Sequence, residues 1–289
     1  MISVITDTST YADDFLCQCS SGTVHSVYNK TINIQTPGQL LALQSASSPQ
    51  SPVSLITNLT ADRLESLHIE PGQAVRLSRE SIEILSSGTP AVFRYSPAHI
   101  YHSKLSAFSS GASCDGLRSR VQMAVGKSRA GGFCLLFSPC SSKVVEDSLI
   151  LSAAREHMSR CRLLLRKSEY LDAARTLTRL VGLGIGLTPS GDDFLCGVLA
   201  SLTLCRLSNH PFARRLAAEL ERHLSDTNDI SGTFLRCALQ NQFSQAVCRL
   251  RDLPPAVEIV QSFEAVGHSS GTDTLCGILY ALDLAGVLK

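Results

Sequence analysis

The chain has 289 residues, 44% of them hydrophobic and 18% charged, with 26 Lys and Arg against 25 Asp and Glu. This is ample apolar material for one large domain or two ordinary ones, and the charge density is low, as in chains that hide surface in an assembly or that bury a large core. A net charge of +1 excludes the basic footprint of a nucleic-acid binder, and the apolar runs, broken by Ser, Thr and Gly, are too short to span a bilayer.

The first hundred residues read as β. Thr23 to Ile34 alternates and is rich in Val, Ile, Thr and Tyr. Val53 to Asn58, Ala74 to Leu77, Ser81 to Leu85 and Ala91 to Tyr95 are short apolar or alternating runs. Between them lie a Ser/Pro-rich loop, Ser45 to Pro52, and turn signals at Pro71-Gly72 and Ser87-Gly88. Short strands with no long helix between them predict a small barrel or sandwich. Phe133 to Phe137 reads as one more strand. Beyond Val144 the periodicity is helical. Helices are predicted at Glu146 to Lys167, Glu169 to Val181, Asp192 to Leu207, Pro211 to Leu224, Ile230 to Gln240, Ser244 to Arg251, Ala256 to Val266 and Thr272 to Leu288. The expected class is α+β, with a β-rich domain over 1–115 and a mainly helical domain over 116–289.

Eleven cysteines occur at irregular spacing, with Cys17-Gln18-Cys19 the one close pair. No basic segment followed by an apolar stretch opens the sequence, so reduced thiols and a cytoplasmic location are expected. No cofactor is expected.

The most informative feature is a phrase used twice. Ser190-Gly191-Asp192-Asp193-Phe194-Leu195-Cys196-Gly197 returns as Ser270-Gly271-Thr272-Asp273-Thr274-Leu275-Cys276-Gly277. Each copy stands where a polar, glycine-containing loop runs into a helical pattern. A helix start carries unpaired N–H groups and the positive end of the helix dipole, so two starts suggest a paired site for a small anion. The first is preceded by Gly182-Leu183-Gly184-Ile185-Gly186-Leu187-Thr188-Pro189. These glycines resemble a dinucleotide fingerprint, but that must follow a strand, and a helix is predicted here. Gly184 and Gly186 instead suit a loop that brings backbone close to a ligand.

Asp192, Asp193, Asp273 and His268 are the candidates for chemistry, His268 as proton donor or phosphate ligand. Gly184, Gly186, Thr188, Ser190, Gly191, Ser231, Ser269, Ser270, Gly271 and Thr272 are the candidates for substrate binding. The plain alternative is capping. Ser190 to Asp193 and Ser270 to Asp273 both fit a capping box with Asp in place of Glu, and Asp229 or Ser231 fits a cap for the helix after Thr227-Asn228. Capping leaves Asp192 unexplained, along with Gly197 and Gly277, which suggest a close neighbour on that helix face. Gly126-Lys127-Ser128 lacks the glycine a P-loop needs at 121, and neither His-Glu-x-x-His nor Gly-x-Ser-x-Gly occurs. No metal is expected, although the three aspartates and His268 would be able to hold a divalent ion if their loops met.

The segments at 186–197, at Ile230-Ser231…Phe234-Leu235 and at 267–277 resemble the AllH-type family. The resemblance implies one of three subunits of an oxamate carbamoyltransferase used in anaerobic allantoin breakdown. It implies carbamoyl transfer between carbamoyl phosphate and oxamate, two partner subunits and small anionic substrates. The Ser-x-Arg-Thr segment of ordinary transcarbamoylases is missing. Two other readings stay open: a structural or regulatory subunit whose loops only cap helices, and a stand-alone metal-dependent enzyme. The low charge and the incomplete catalytic set weigh against the last.

Overall fold

A computed structural model describes residues 3–109, 112–128, 131–137, 148–267 and 269–288. The chain divides into two compact units, one of residues up to Lys104 with Gln242–Gln245, the other of Leu105–Asn241 and Ala246–Lys289.

The first unit is a closed barrel of eight strands. They are β1 (Ser3–Ser9), β2 (Ser21–Tyr28), β3 (Thr31–Thr36), β4 (Gln39–Gln44), β5 (Ser54–Thr57), β6 (Ala74–Leu77), β7 (Ser81–Ile84) and β8 (Ala91–Tyr101). Around the barrel the order is β1-β5-β4-β3-β2-β6-β7-β8. Closure is made by β1 on β8 in parallel, Ile5 opposite Tyr95. Closing the sheet removes the unpaired edges that an open sheet of such short strands would expose. Ile5, Val24, Ile34, Leu43, Leu55, Ile82 and Phe93 form its core.

The run Thr23 to Ile34 divides at Asn29-Lys30 into a hairpin, with Tyr28 opposite Thr31. Sequence reading passed over β1, β4 and two short helices, α1 (Thr10–Leu16) and α2 (Ala61–Glu65). Helix α1 starts locally, since the Ser9 hydroxyl accepts the Ala12 N–H at 2.9 Å.

The second unit is helical. It holds α3 (Ala112–Lys127), α4 (Leu149–Arg166), α5 (Tyr170–Thr178), α6 (Ser190–Leu204), α7 (Pro211–Arg222), α8 (Asp229–Leu239), α10 (Ala256–Glu264) and α11 (Ser270–Leu284). The short α9 (Gln245–Arg249) begins at the boundary between the units. The predicted helices from 146 onward are present within a few residues, whereas α3 was not foreseen. The expected strand at Phe133 to Phe137 is instead a 3-10 turn, Gly132–Leu136. Short apolar runs fit either state, and here burial of Phe133 and Cys134 sets the conformation.

Helices α6 and α11 are buried on almost every side, as expected of helices at the centre of a bundle. They pack closely against each other, with α3, α8, α10 and the 132–136 turn around them. Among the described residues no helix is long and apolar enough to cross a membrane, and the ten described cysteines are free thiols.

Candidate functional site

The two copies of the repeated phrase meet. Helix α6 begins at Ser190 and α11 at Ser270, equivalent positions of the repeat. A Cβ on Gly197 would lie 2.0 Å from the carbonyl oxygen of Thr274, and one on Gly277 would lie 1.9 Å from that of Phe194. Phe194 and Thr274 are themselves equivalent, so the contact is reciprocal. The loops behind repeat the pattern, Gly191 lying against the Leu180 and Leu183 carbonyls and Gly271 against that of Phe263. Two helix-loop-helix units, α5–α6 and α10–α11, thus cross with approximate two-fold symmetry. Glycine is required wherever backbone touches backbone.

The loop 182–189 takes its path from the same constraint. Gly184 has φ +141°, and a Cβ there would sit 2.4 Å from the Ser190 nitrogen. Neither helix start has a side-chain cap, the cap residues being Pro189 and Ser269. The capping-box reading of Asp193 and Asp273 therefore fails. At the start of α6 three amides are engaged within the chain. The Gly191 N–H donates to Leu183 O at 2.8 Å, and those of Asp192 and Asp193 donate to Pro189 O at 2.9 and 3.3 Å. With those three donors spent inside the chain, side chains supply the other polar groups at this end.

Those side chains cross over. Ser270 donates to Asp193 Oδ2. The Ser270 and Thr188 hydroxyls are 2.5 Å apart. The equivalent Ser190 and the neighbouring Ser269 lie close enough to Asp273 to stabilise its anion. Asp273 Oδ1 accepts the Phe133 N–H at 2.6 Å, while its Oδ2 is buried without a hydrogen-bond partner among the described residues. Burial pushes the Asp193 carboxyl well above the usual range, and Asp273 and Asp192 add repulsion against the Ser270 and Thr188 hydroxyls. Burial likewise raises Asp273, to about 7, against the pull of Ser190, the Phe133 amide and Ser269. Both carboxyls are therefore harder to ionise than an exposed aspartate.

Asp192 is placed differently. Its Oδ1 accepts the Gly182 N–H at 2.9 Å, and its Oδ2 accepts the hydroxyls of Thr227 at 2.5 Å and Ser231 at 2.7 Å. Both oxygens are occupied, and the side chain is 1% exposed. It ties the glycine loop and the start of α8 to α6. Asp192→Ala is expected to leave these three donors without their acceptor and to cost on the order of 3 kcal/mol. A urea melt checks this, and an unchanged midpoint would count against a clamp.

Of the sequence-predicted residues, Thr188, Ser190, Ser269, Ser270, Asp193 and Asp273 come together. Ser231 serves Asp192, Thr272 donates to Ser269 O at 2.8 Å, and Gly186 lies in the exposed loop tip. His268 lies outside the described residues. Among the described residues no three His, Cys, Asp or Glu side chains gather as a metal site. Sequence reading missed the 132–136 turn that aims an N–H at Asp273. Gly132 carried the signal, since a Cβ there would meet Asp273 Oδ1 at 2.5 Å with φ at +66°.

Two comparisons bear on this arrangement. Residues 4–94 match the AllH family N-terminal domain. Residues 180–282, which hold both copies of the repeat, match the family described as oxamate carbamoyltransferase subunit AllH. No solved structure matches the chain. The two matches cover most of the chain, which belongs to the AllH family.

Proposed function

We propose that this member of the AllH family works with two other subunits as an oxamate carbamoyltransferase of anaerobic allantoin or related nitrogen catabolism, located in the cytoplasm. In the degradative direction oxalurate and phosphate give oxamate and carbamoyl phosphate. A phosphate oxygen attacks the terminal carbamoyl carbon, the bond from that carbon to the oxamate nitrogen breaks, and the leaving nitrogen takes a proton. In reverse, the oxamate nitrogen attacks the carbamoyl carbon, the bond from that carbon to the phosphate oxygen breaks, phosphate leaves, and the nitrogen gives up a proton.

One observation carries the assignment of roles: Asp273 has a buried oxygen without a hydrogen-bond partner among the described residues, and burial raises its pKa to about 7. A general acid that must also act as a base works best near the operating pH. Asp273 is assigned the proton transfer. Thr188, Ser269 and Ser270, which are half-buried, orient the substrate, and Asp193 fixes the Ser270 hydroxyl. Asp192 is assigned a positioning role through the loop it ties down. The oxalurate and oxamate carboxylates and the phosphate meet hydroxyl donors here, with further cationic groups supplied by the partner subunits.

The test is carbamoyl phosphate formation from oxalurate and phosphate. It compares the isolated chain, the two partners without it, and all three together. Turnover is expected only from the full assembly. Full turnover by the isolated chain would remove the dependence on partners, and no turnover in any combination would remove the reading altogether.

A further inference from the structure

Outside the paired aspartates, the second unit carries an open cleft of about 340 Å³ between α4, α11 and the 132–137 segment. Its walls are apolar, formed by Leu136 and Phe137 of the 132–137 segment, Leu163 of α4 and the Tyr280 ring of α11. Among the described residues its charged lining is all of one sign, Arg155 and Arg162. Neither arginine has an ion pair among the described residues. Arg162 lies over the Tyr280 ring, 5.5 Å from its centroid. The two arginines are seven residues apart, two helical turns or roughly 10 Å along one face. Two cations separated by an apolar wall complement a ligand with two anionic ends and an apolar middle.

The cleft also shares a wall with the candidate site. Leu136 and Phe137 line it, while three residues earlier Phe133 donates its N–H to Asp273. The Phe133 ring meets Phe194 edge-on at 5.7 Å, and Phe194 lies 5.4 Å from Tyr280. Tyr280 is pinned by its hydroxyl, which donates to Met158 O at 2.8 Å. A ligand against Phe137 and Tyr280 therefore presses on the piece of backbone that holds Asp273. We propose that this cleft binds a small organic dianion with an apolar body, such as a dicarboxylate, and that its occupant acts on Asp273 through the 132–136 turn. The binding half stands apart from the carbamoyl-transfer reading, because it needs neither partners nor substrates.

Isothermal titration of the full chain with isophthalate, benzoate and inorganic phosphate tests the binding. Isophthalate is expected to bind, and benzoate about tenfold more weakly, the loss expected for one charged contact. Phosphate is expected not to compete. Arg155→Met and Arg162→Met should each weaken isophthalate about tenfold with the melting temperature preserved. No binding of isophthalate, binding by both variants as tight as the parent's, or phosphate binding as tightly as isophthalate would overturn the site. The relay is read from the carboxyl ¹³C titration of Asp273, whose titratable neighbours are Asp193 on α6, Cys134 on the turn and Cys276 on α11. Saturation with isophthalate should move its midpoint by about half a pH unit. An unmoved midpoint with isophthalate bound would overturn the relay.

Discussion

Asp273→Asn is expected to lower carbamoyl transfer by the assembled complex by about two to four orders of magnitude, the usual worth of a positioned general acid. The variant keeps an oxygen to accept the Phe133 N–H, so the turn stays in place. Its stability should not fall, and above neutral pH it should exceed the parent's. The sign follows from the raised pKa. In the unfolded chain the carboxyl ionises near 3.8, in the folded chain near 7. Below pH 4 it is protonated in both states and costs nothing. As pH rises from about 4 through about 7, the unfolded state ionises first, and stability is lost. The loss for Asp273 is on the order of 4 kcal/mol at its upper bound. Asp193, raised in the same direction, adds to it. Urea melts at pH 5 and pH 8 should show the parent weakening and Asp273→Asn weakening less. Near-parental turnover by the variant complex would make the chain a structural or regulatory subunit.

Gly277→Ala is the second large effect. Its methyl group would lie 1.9 Å from the Phe194 oxygen and 2.8 Å from the Phe194 carbonyl carbon. Both are main-chain atoms inside a buried helix, so no side chain can swing away. Helices α6 and α11 must separate, and the Ser270–Asp193 bond separates with them. The expected cost is about 3 kcal/mol or more, at the top of the range for overpacked cores. For a helical unit of this size that lowers the melting temperature by roughly 10 °C. Gly197→Ala meets the Thr274 carbonyl in the same way. The control is Gly126→Ala in α3, where an added Cβ meets nothing within 4 Å. There alanine should be neutral or slightly stabilising, because it is the better helix former. Equal melting of Gly277→Ala and Gly126→Ala would refute the close helix contact.

The repeated phrase was visible in the sequence, and so were the polar loops at both helix starts and the unusual helix glycines. Periodicity also separated a β-rich first part, observed as the closed barrel, from a helical remainder. These features are local, since side-chain spacing and turn chemistry are written in neighbouring residues. Strands β1 and β4 and the turn at 132–136 were not legible, because apolar runs so short take their state from what covers them. The aspartates show the same limit. Asp192 stood out in the sequence as the carboxylate without a counterpart, yet both of its oxygens are taken by Gly182, Thr227 and Ser231. Asp193 and Asp273 resembled capping-box acids, yet neither helix start has a side-chain cap. What the sequence determined by itself was that two like helix starts exist, each with a serine and an aspartate. Only the tertiary structure decided that each aspartate faces the serine of the other helix, because the packing of Gly197 on Thr274 and Gly277 on Phe194 brings together residues 77 and 83 positions apart and buries both carboxyls.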